Sequence, residues 1–163
     1  MRTVYHGGIT EITLPVVNVG RDNLDFGKGF YVTEIKSQAK TWAEIKSRYF
    51  LDTPGIINQY AFDFDNAVRG CRYRKFECYD QEWLYFVIDC RSGKNVWRAF
   101  DIIEGGVAND RVIDTIEAFI AGQIDENKAL GELARHQPNQ QICILRQSII
   151  NRFLKFERSF KVK

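Results

Sequence analysis

Three polar side chains stand where a strand ends or a glycine turn begins: His6 in "YHGG", Tyr31 in "GKGFY" and Gln141 in "QQICIL". A histidine exchanges protons near neutrality and can accept or donate a hydrogen bond. A tyrosine beside a glycine turn offers an aromatic wall, and a glutamine amide offers donors and an acceptor but no titrating charge. Each type also has an ordinary structural use. The histidine can be structural or exposed, the tyrosine can sit in the core with its hydroxyl satisfied, and the glutamine can be an exposed residue at the start of a strand. Singly, none of the three defines a site. Other chemistries lack their residues. Cys71, Cys78, Cys90 and Cys143 form no CxxC pair and read as reduced thiols, without the ligand spacing of a zinc site.

The elements that would position these residues can be read from periodicity. Thr3 to His6 alternates as a strand that breaks at Gly7-Gly8, which delivers His6 to a loop mouth. Residues 15–28, with Pro15, Asn18, Gly20, Asp22 and Asn23, read as loop, and "GFYVTE" as a second strand carrying Tyr31. Ala39, Trp42, Ala43 (or the stem of Lys46) and Tyr49 recur at helical spacing, predicting a helix over Ser37 to Tyr49 that Thr33 or Ser37 would cap. Ile56 to Asp65 reads as a strand, "DQEWLYFVIDC" as a buried helix, and "WRAFDIIEGG" as a further strand. Two helices follow, over about Asp110 to Ala121, capped at Asn109 or Asp110, and over Asp125 to Arg135. In the strand Gln140 to Leu145, Gln141 lies on the face opposite Ile142 and Ile144. "SIINRFLKF" gives a short helix or turn before an apolar, basic end. With strands early and late and helices between, the fold class is α+β.

Composition sets the outer bounds. The 163 residues are 45% hydrophobic, enough for one core and a single domain over 1–163. A net charge of +2, from 23 basic and 21 acidic residues, is too balanced to announce a nucleic-acid binder. The basic stretch from Arg152 to Lys163 reads as a solvated face that could touch a nucleic acid or an acidic partner. No apolar run approaches the roughly 18 residues of a membrane span, and the N-terminus has no signal-peptide core, so a cytoplasmic protein with no membrane association is expected.

The run "FGKGFYVTEIKSQAKTWA" resembles the central motif of the ADP-ribosyltransferase superfamily, in its diphtheria-toxin and poly(ADP-ribose) polymerase branch. There a glycine-lysine-glycine turn leads into a strand tyrosine, and a small-residue helix carries a second aromatic eleven positions later, here Tyr31 and Trp42. "YHGG" resembles the first-strand histidine-glycine pair, and "NQQICIL" the late strand that opens with a catalytic glutamate. The resemblance spans residues 5 to about 156. The chain is also similar to a bacterial family, the domain of unknown function 3990, at "LDFGKGFYVT", "QEWLYFV", "FDIIEGGVANDRV" and "QQICIL". Cys90-Arg91 stands where an asparagine-arginine pair would be expected.

The resemblance implies a split β-sheet core with an NAD crevice, NAD as substrate and no metal; no GxGxxG phosphate loop occurs. It implies that His6 bonds a ribose hydroxyl, that the Gly7 backbone pairs with the nicotinamide amide, that Gly29 belongs to the binding turn, and that Tyr31 and Trp42 flank the nicotinamide ring. Lys28 would meet the pyrophosphate or lie exposed on its turn. Gln141, or Gln140 if the register slips by one, takes the place of the glutamate. It keeps a hydrogen bond to ribose but supplies neither a base nor a negative charge. Glu34, Asp25 and Glu82 are conceivable substitute carboxylates. The implied activity is mono-ADP-ribosyl transfer to a protein or nucleic-acid acceptor. Alternatives are an NAD-glycohydrolase, or a non-catalytic NAD-binding or toxin–antitoxin or defence module with a small antitoxin-like partner. An RNA 2'-phosphotransferase is less favoured, since only Arg2 and Arg21 are early candidates for its phosphate.

Overall fold

A computed structural model describes residues 1–162. In chain order its elements are β1 (Arg2–Gly8), β2 (Phe30–Val32), α1 (Lys36–Ser47), β3 (Ile56–Phe62), α2 (Phe64–Arg69), β4 (Tyr73–Lys75) and α3 (Gln81–Arg91). Then come β5 (Ile102–Gly106), α4 (Asp110–Ile120), α5 (Glu126–Leu133), β6 (Gln140–Ile144), α6 (Gln147–Phe153) and β7 (Leu154–Lys161). The class is α+β, with the strands divided between two sheets. One is antiparallel in the order β1-β3-β7. The other runs β2-β6-β5-β4, antiparallel except for the β4–β5 pair.

Register assigns the faces. Phe30 pairs with Ile144 and Val32 with Ile142, while Tyr31 pairs with Cys143 between them. Because side chains alternate along a strand, the first set joins Val4, Tyr60 and Phe62 in a core between the two sheets. Cys143 and Ile103 on the other face join Trp83, Val87, Val112 and Leu133 in a second core under α3, α4 and α5. Tyr31 and Gln141 belong to that second face. The sheets touch edge to edge at an isolated bridge, Tyr5 to Thr33, with N–H to O distances of 2.7 and 2.9 Å.

β1 does not break at Gly7-Gly8; it runs through both glycines. α1 lies so close on this strand that a Cβ on Gly7 would sit 1.9 Å from the Ala39 carbonyl oxygen, so glycine is required there for approach rather than for a turn. Neither Thr33 nor Ser37 caps α1. Ile35 occupies that position, and the Thr33 hydroxyl accepts from the Ile35 N–H at 3.1 Å. Asn109 caps α4, accepting from the Val112 N–H at 3.2 Å. Within "WRAFDIIEGG" only Ile102–Gly106 is strand; Val96–Ala99 is a 3-10 turn. The basic end forms a strand, β7, that pairs along the whole of β3, and its Lys155, Arg158 and Lys161 side chains are exposed. Among the described residues no helix is long and apolar enough to cross a membrane.

Candidate functional site

A cleft of about 750 Å³ opens where β1 and β2 part beyond the Tyr5–Thr33 bridge. His6 and Gly7 from β1, Gly29 and Tyr31 at β2, Trp42 from α1 and Gln141 from β6 all line it. Gln140 does not. Its backbone carbonyl accepts from the Thr33 hydroxyl at 3.0 Å and from Gln38 Nε2 at 3.3 Å.

His6 Nδ1 lies 2.8 Å from the Tyr31 carbonyl oxygen. A carbonyl only accepts, so Nδ1 carries the proton and Nε2 is an acceptor. The ring stacks on Phe30 at 4.5 Å between centroids. Burial, reinforced by the Lys46 ammonium and opposed by the Tyr31 carbonyl, pushes the imidazole down to about 4, so it is neutral at pH 7.

The Tyr31 hydroxyl is committed to the turn that precedes it, donating to the Gly27 carbonyl at 2.6 Å and accepting from the Phe26 N–H at 3.1 Å. Only the ring is left for the cleft. Burial, then Cys143 and Asp25, raises the phenol well above its ordinary range, so it stays protonated. The turn depends on both glycines for different reasons. Gly27 has φ +88°, and a Cβ there would meet the Trp97 indole at 2.1 Å. At Gly29 a Cβ would meet Cys143 Sγ at 2.5 Å and the Ile144 carbonyl oxygen at 2.6 Å.

Beside Gln141 a carboxylate, Asp25, also lines the cleft, as does Arg91. Gln141 Nε2 donates to Asp25 Oδ2 at 3.0 Å, and the Ala108 N–H donates to the same oxygen at 3.1 Å. Asp25 Oδ1 accepts from Arg91 Nε at 2.8 Å and lies 2.7 Å from Arg91 Nη2. Asp25 is 7% exposed, so this pairing is what makes a buried carboxylate tolerable. With its nitrogen held by Asp25, the Gln141 amide is oriented, and its carbonyl oxygen is the end left to a ligand. The other two carboxylates lie elsewhere: Glu34 is exposed and pairs with Arg2, and Glu82 pairs with Arg74. Lys28 pairs with Asp22 at 3.1 Å and lines a separate cavity.

Lys46, whose stem the helical periodicity offers as an apolar-face position, lines the cleft. Its Nζ donates to the Gly7 carbonyl at 3.1 Å, and burial together with the Arg21 cation lowers its pKa. Tyr5 directs its N–H and C=O at Thr33, so by strand alternation Gly7 directs its own toward the same edge, where β2 has already diverged. The sequence signal for Asp25 was its flanks: a carboxylate between Leu24 and the fully buried Phe26 must find a partner.

The cleft offers a neutral imidazole acceptor, two aromatic side chains, an oriented amide and the Gly7 N–H, with Lys46 on the Gly7 carbonyl and the Asp25–Arg91 pair also in its wall. Its strong bases are engaged or weakened: Asp25 is bound by Arg91, and His6 holds a proton poorly. Such a site can orient a ligand and stabilise a bond-breaking transition state better than it can abstract a proton. Among the described residues no three His, Cys, Asp or Glu side chains gather as metal ligands. A family model described as a protein of unknown function (DUF3990) matches residues 2–156. No curated protein and no solved structure matches the chain.

Proposed function

The chain belongs to the DUF3990 family, and on that premise we propose that it is an NAD-dependent mono-ADP-ribosyltransferase whose site is the cleft between β1 and β2. The observation that carries this reading is convergence. His6, Tyr31, Trp42 and Gln141, spread over 136 positions of sequence, line one cleft, with His6 neutral and its Nε2 an acceptor.

In this reading His6 Nε2 and the Gln141 carbonyl oxygen accept from ribose hydroxyls, and the nicotinamide ring lies against Tyr31 and Trp42. An aromatic face favours the cationic pyridinium of NAD without needing a counter-charge. The bond from ribose C1' to the nicotinamide nitrogen breaks, its electron pair neutralising the departing ring. An acceptor oxygen or nitrogen then bonds C1', and its proton passes to solvent water. The Gln141 carbonyl dipole faces the developing oxocarbenium charge, while the Asp25 charge is largely cancelled by Arg91. That cancellation favours a slow, single transfer over chain elongation, which needs a base for a sugar hydroxyl. It is also the observation behind a second reading, NAD binding without turnover.

The test is incubation with NAD labelled in the adenine ring, in cell lysate, following free nicotinamide and label on protein, RNA or DNA. Transfer supports the first reading. Nicotinamide release without transfer identifies a glycohydrolase, and a thermal shift with NAD but no release identifies the second reading. Absence of all three overturns the NAD assignment. Tyr31→Ala should abolish any thermal shift, and Trp42→Ala should weaken it.

A further inference from the structure

The near balance of charge over the whole chain conceals a segregation. The stretch from Asp110 to Glu132 holds six carboxylates against two cations, Arg111 and Lys128. Cations gather instead along two grooves, of about 720 and 680 Å³, outside the cleft described above. Lys28, Arg72 and Arg98 line the first, Arg69 and Arg152 line the second, and Arg146 lines both. The two grooves therefore adjoin at Arg146.

The junction is built around one buried carboxylate. Asp101 Oδ1 lies 2.7 Å from Arg72 Nη2 and 3.1 Å from Arg146 Nε, with Asp101 almost wholly buried and both guanidinium groups more than half exposed. One negative charge holds two positive ones side by side, leaving a surplus positive charge and unused N–H donors at the surface. The Arg72 hydrogen bond lowers the Asp101 pKa from its ordinary value, so the carboxylate keeps its charge, and with it the arginine pair, in mildly acid solution. Asp22 and Asp63 are the other carboxylates on the two grooves, so cations outnumber anions six to three. In the first groove Trp97 is half-buried, with the Arg98 guanidinium 5.3 Å from its ring centroid.

We propose that the two adjoining grooves bind the phosphate backbone of a single-stranded nucleic acid. Six cations spread over two adjoining grooves fit a polyanion rather than a single phosphate. The Trp97 ring packs one face on Gly27, and its other face, together with the planar Arg98 guanidinium, provides a stacking surface that an unpaired base can use and a duplex cannot. Five of the six cations are arginines, whose planar forks suit phosphate oxygens. The turn at Gly27 and Lys28 lines this groove while Gly29 lines the cleft, so the two sites share one turn as a wall.

The experiment measures binding of a fluorescent oligonucleotide of about 20 residues, as DNA and as RNA, without NAD, over about 50 to 200 mM salt. Because NAD is absent, failure here leaves the proposed transferase activity untouched. The expected result is binding whose log–log salt slope becomes shallower by about 0.7 in each of Arg98→Ala and Arg152→Ala. Neither residue is ion-paired among the described contacts, and Lys128→Ala on α5 should bind like the unaltered protein. The proposal is overturned by any of three results: no binding at about 50 mM salt, slopes unchanged in both arginine variants, or equally tight binding of a polyglutamate of matched charge.

Discussion

At the scale of single residues, His6 ties folding to pH. In the unfolded chain it takes up a proton as pH falls through 6.5, whereas the folded protein resists protonation until about 4. The unfolded state therefore binds more protons across that window, and stability that is complete above pH 6.5 drains away as pH falls to 4. Urea unfolding at a series of pH values should show the protein losing more stability over this range than His6→Asn does; equal losses would mean that His6 titrates normally. Asp25→Asn should cost about 2 kcal/mol at pH 7, because Arg91 loses its counter-charge while its 32% exposure lets solvent screen part of the damage. Denaturant midpoints check this. His6, Tyr31 and Gln141, which line one cleft, stand out in the sequence because each sits in a short motif with its own glycine or strand signal. The Asp25 network does not, since it joins partners 66 and 116 positions apart, and no local pattern says which arginine or amide a buried carboxylate will find.

At the scale of elements, the contact between β1 and α1 decides whether the cleft has a wall. Gly7→Ala has no room for its methyl group against the Ala39 carbonyl, so α1 must lift and carry Trp42 and Lys46 with it. A loss of about 3 kcal/mol is expected. Gly122→Ala, strained only by its φ of +74° with nothing within 4 Å, should cost about 1 kcal/mol. Thermal unfolding of the two variants side by side tests the difference. Periodicity made α1, α3, α4 and α5 legible, as their apolar positions recur over two or three turns. α2 and β4 are too short to show a period, at six and three residues. β7 escaped for another reason: it follows α6 directly, Phe153 ending one and Leu154 beginning the other, with no turn residue to mark the change.

At the scale of the whole molecule, β7 completes the first sheet and shields one side of β3. Its Leu154 and Phe156 pack on the core between the sheets. Ending the chain at Phe153 would reduce that sheet to two strands and bare the edge of β3, so the shortened protein should lose its cooperative thermal transition and aggregate. Calorimetry and light scattering would register both. The α+β class was legible from the order of elements, but the division of strands into two sheets was not, because pairing depends on contacts far apart in sequence. That division has a mechanical consequence at the Tyr5–Thr33 bridge. One rung laced between two otherwise separate sheets acts as a hinge pin, and the distance from Gly7 to Gly29 is the aperture it governs. Zipping one more rung would shut the aperture, and a ligand wedged inside it would load that single rung. Slower or faster amide exchange at Tyr5 and Thr33 on ligand binding would then report the gape of the molecule directly.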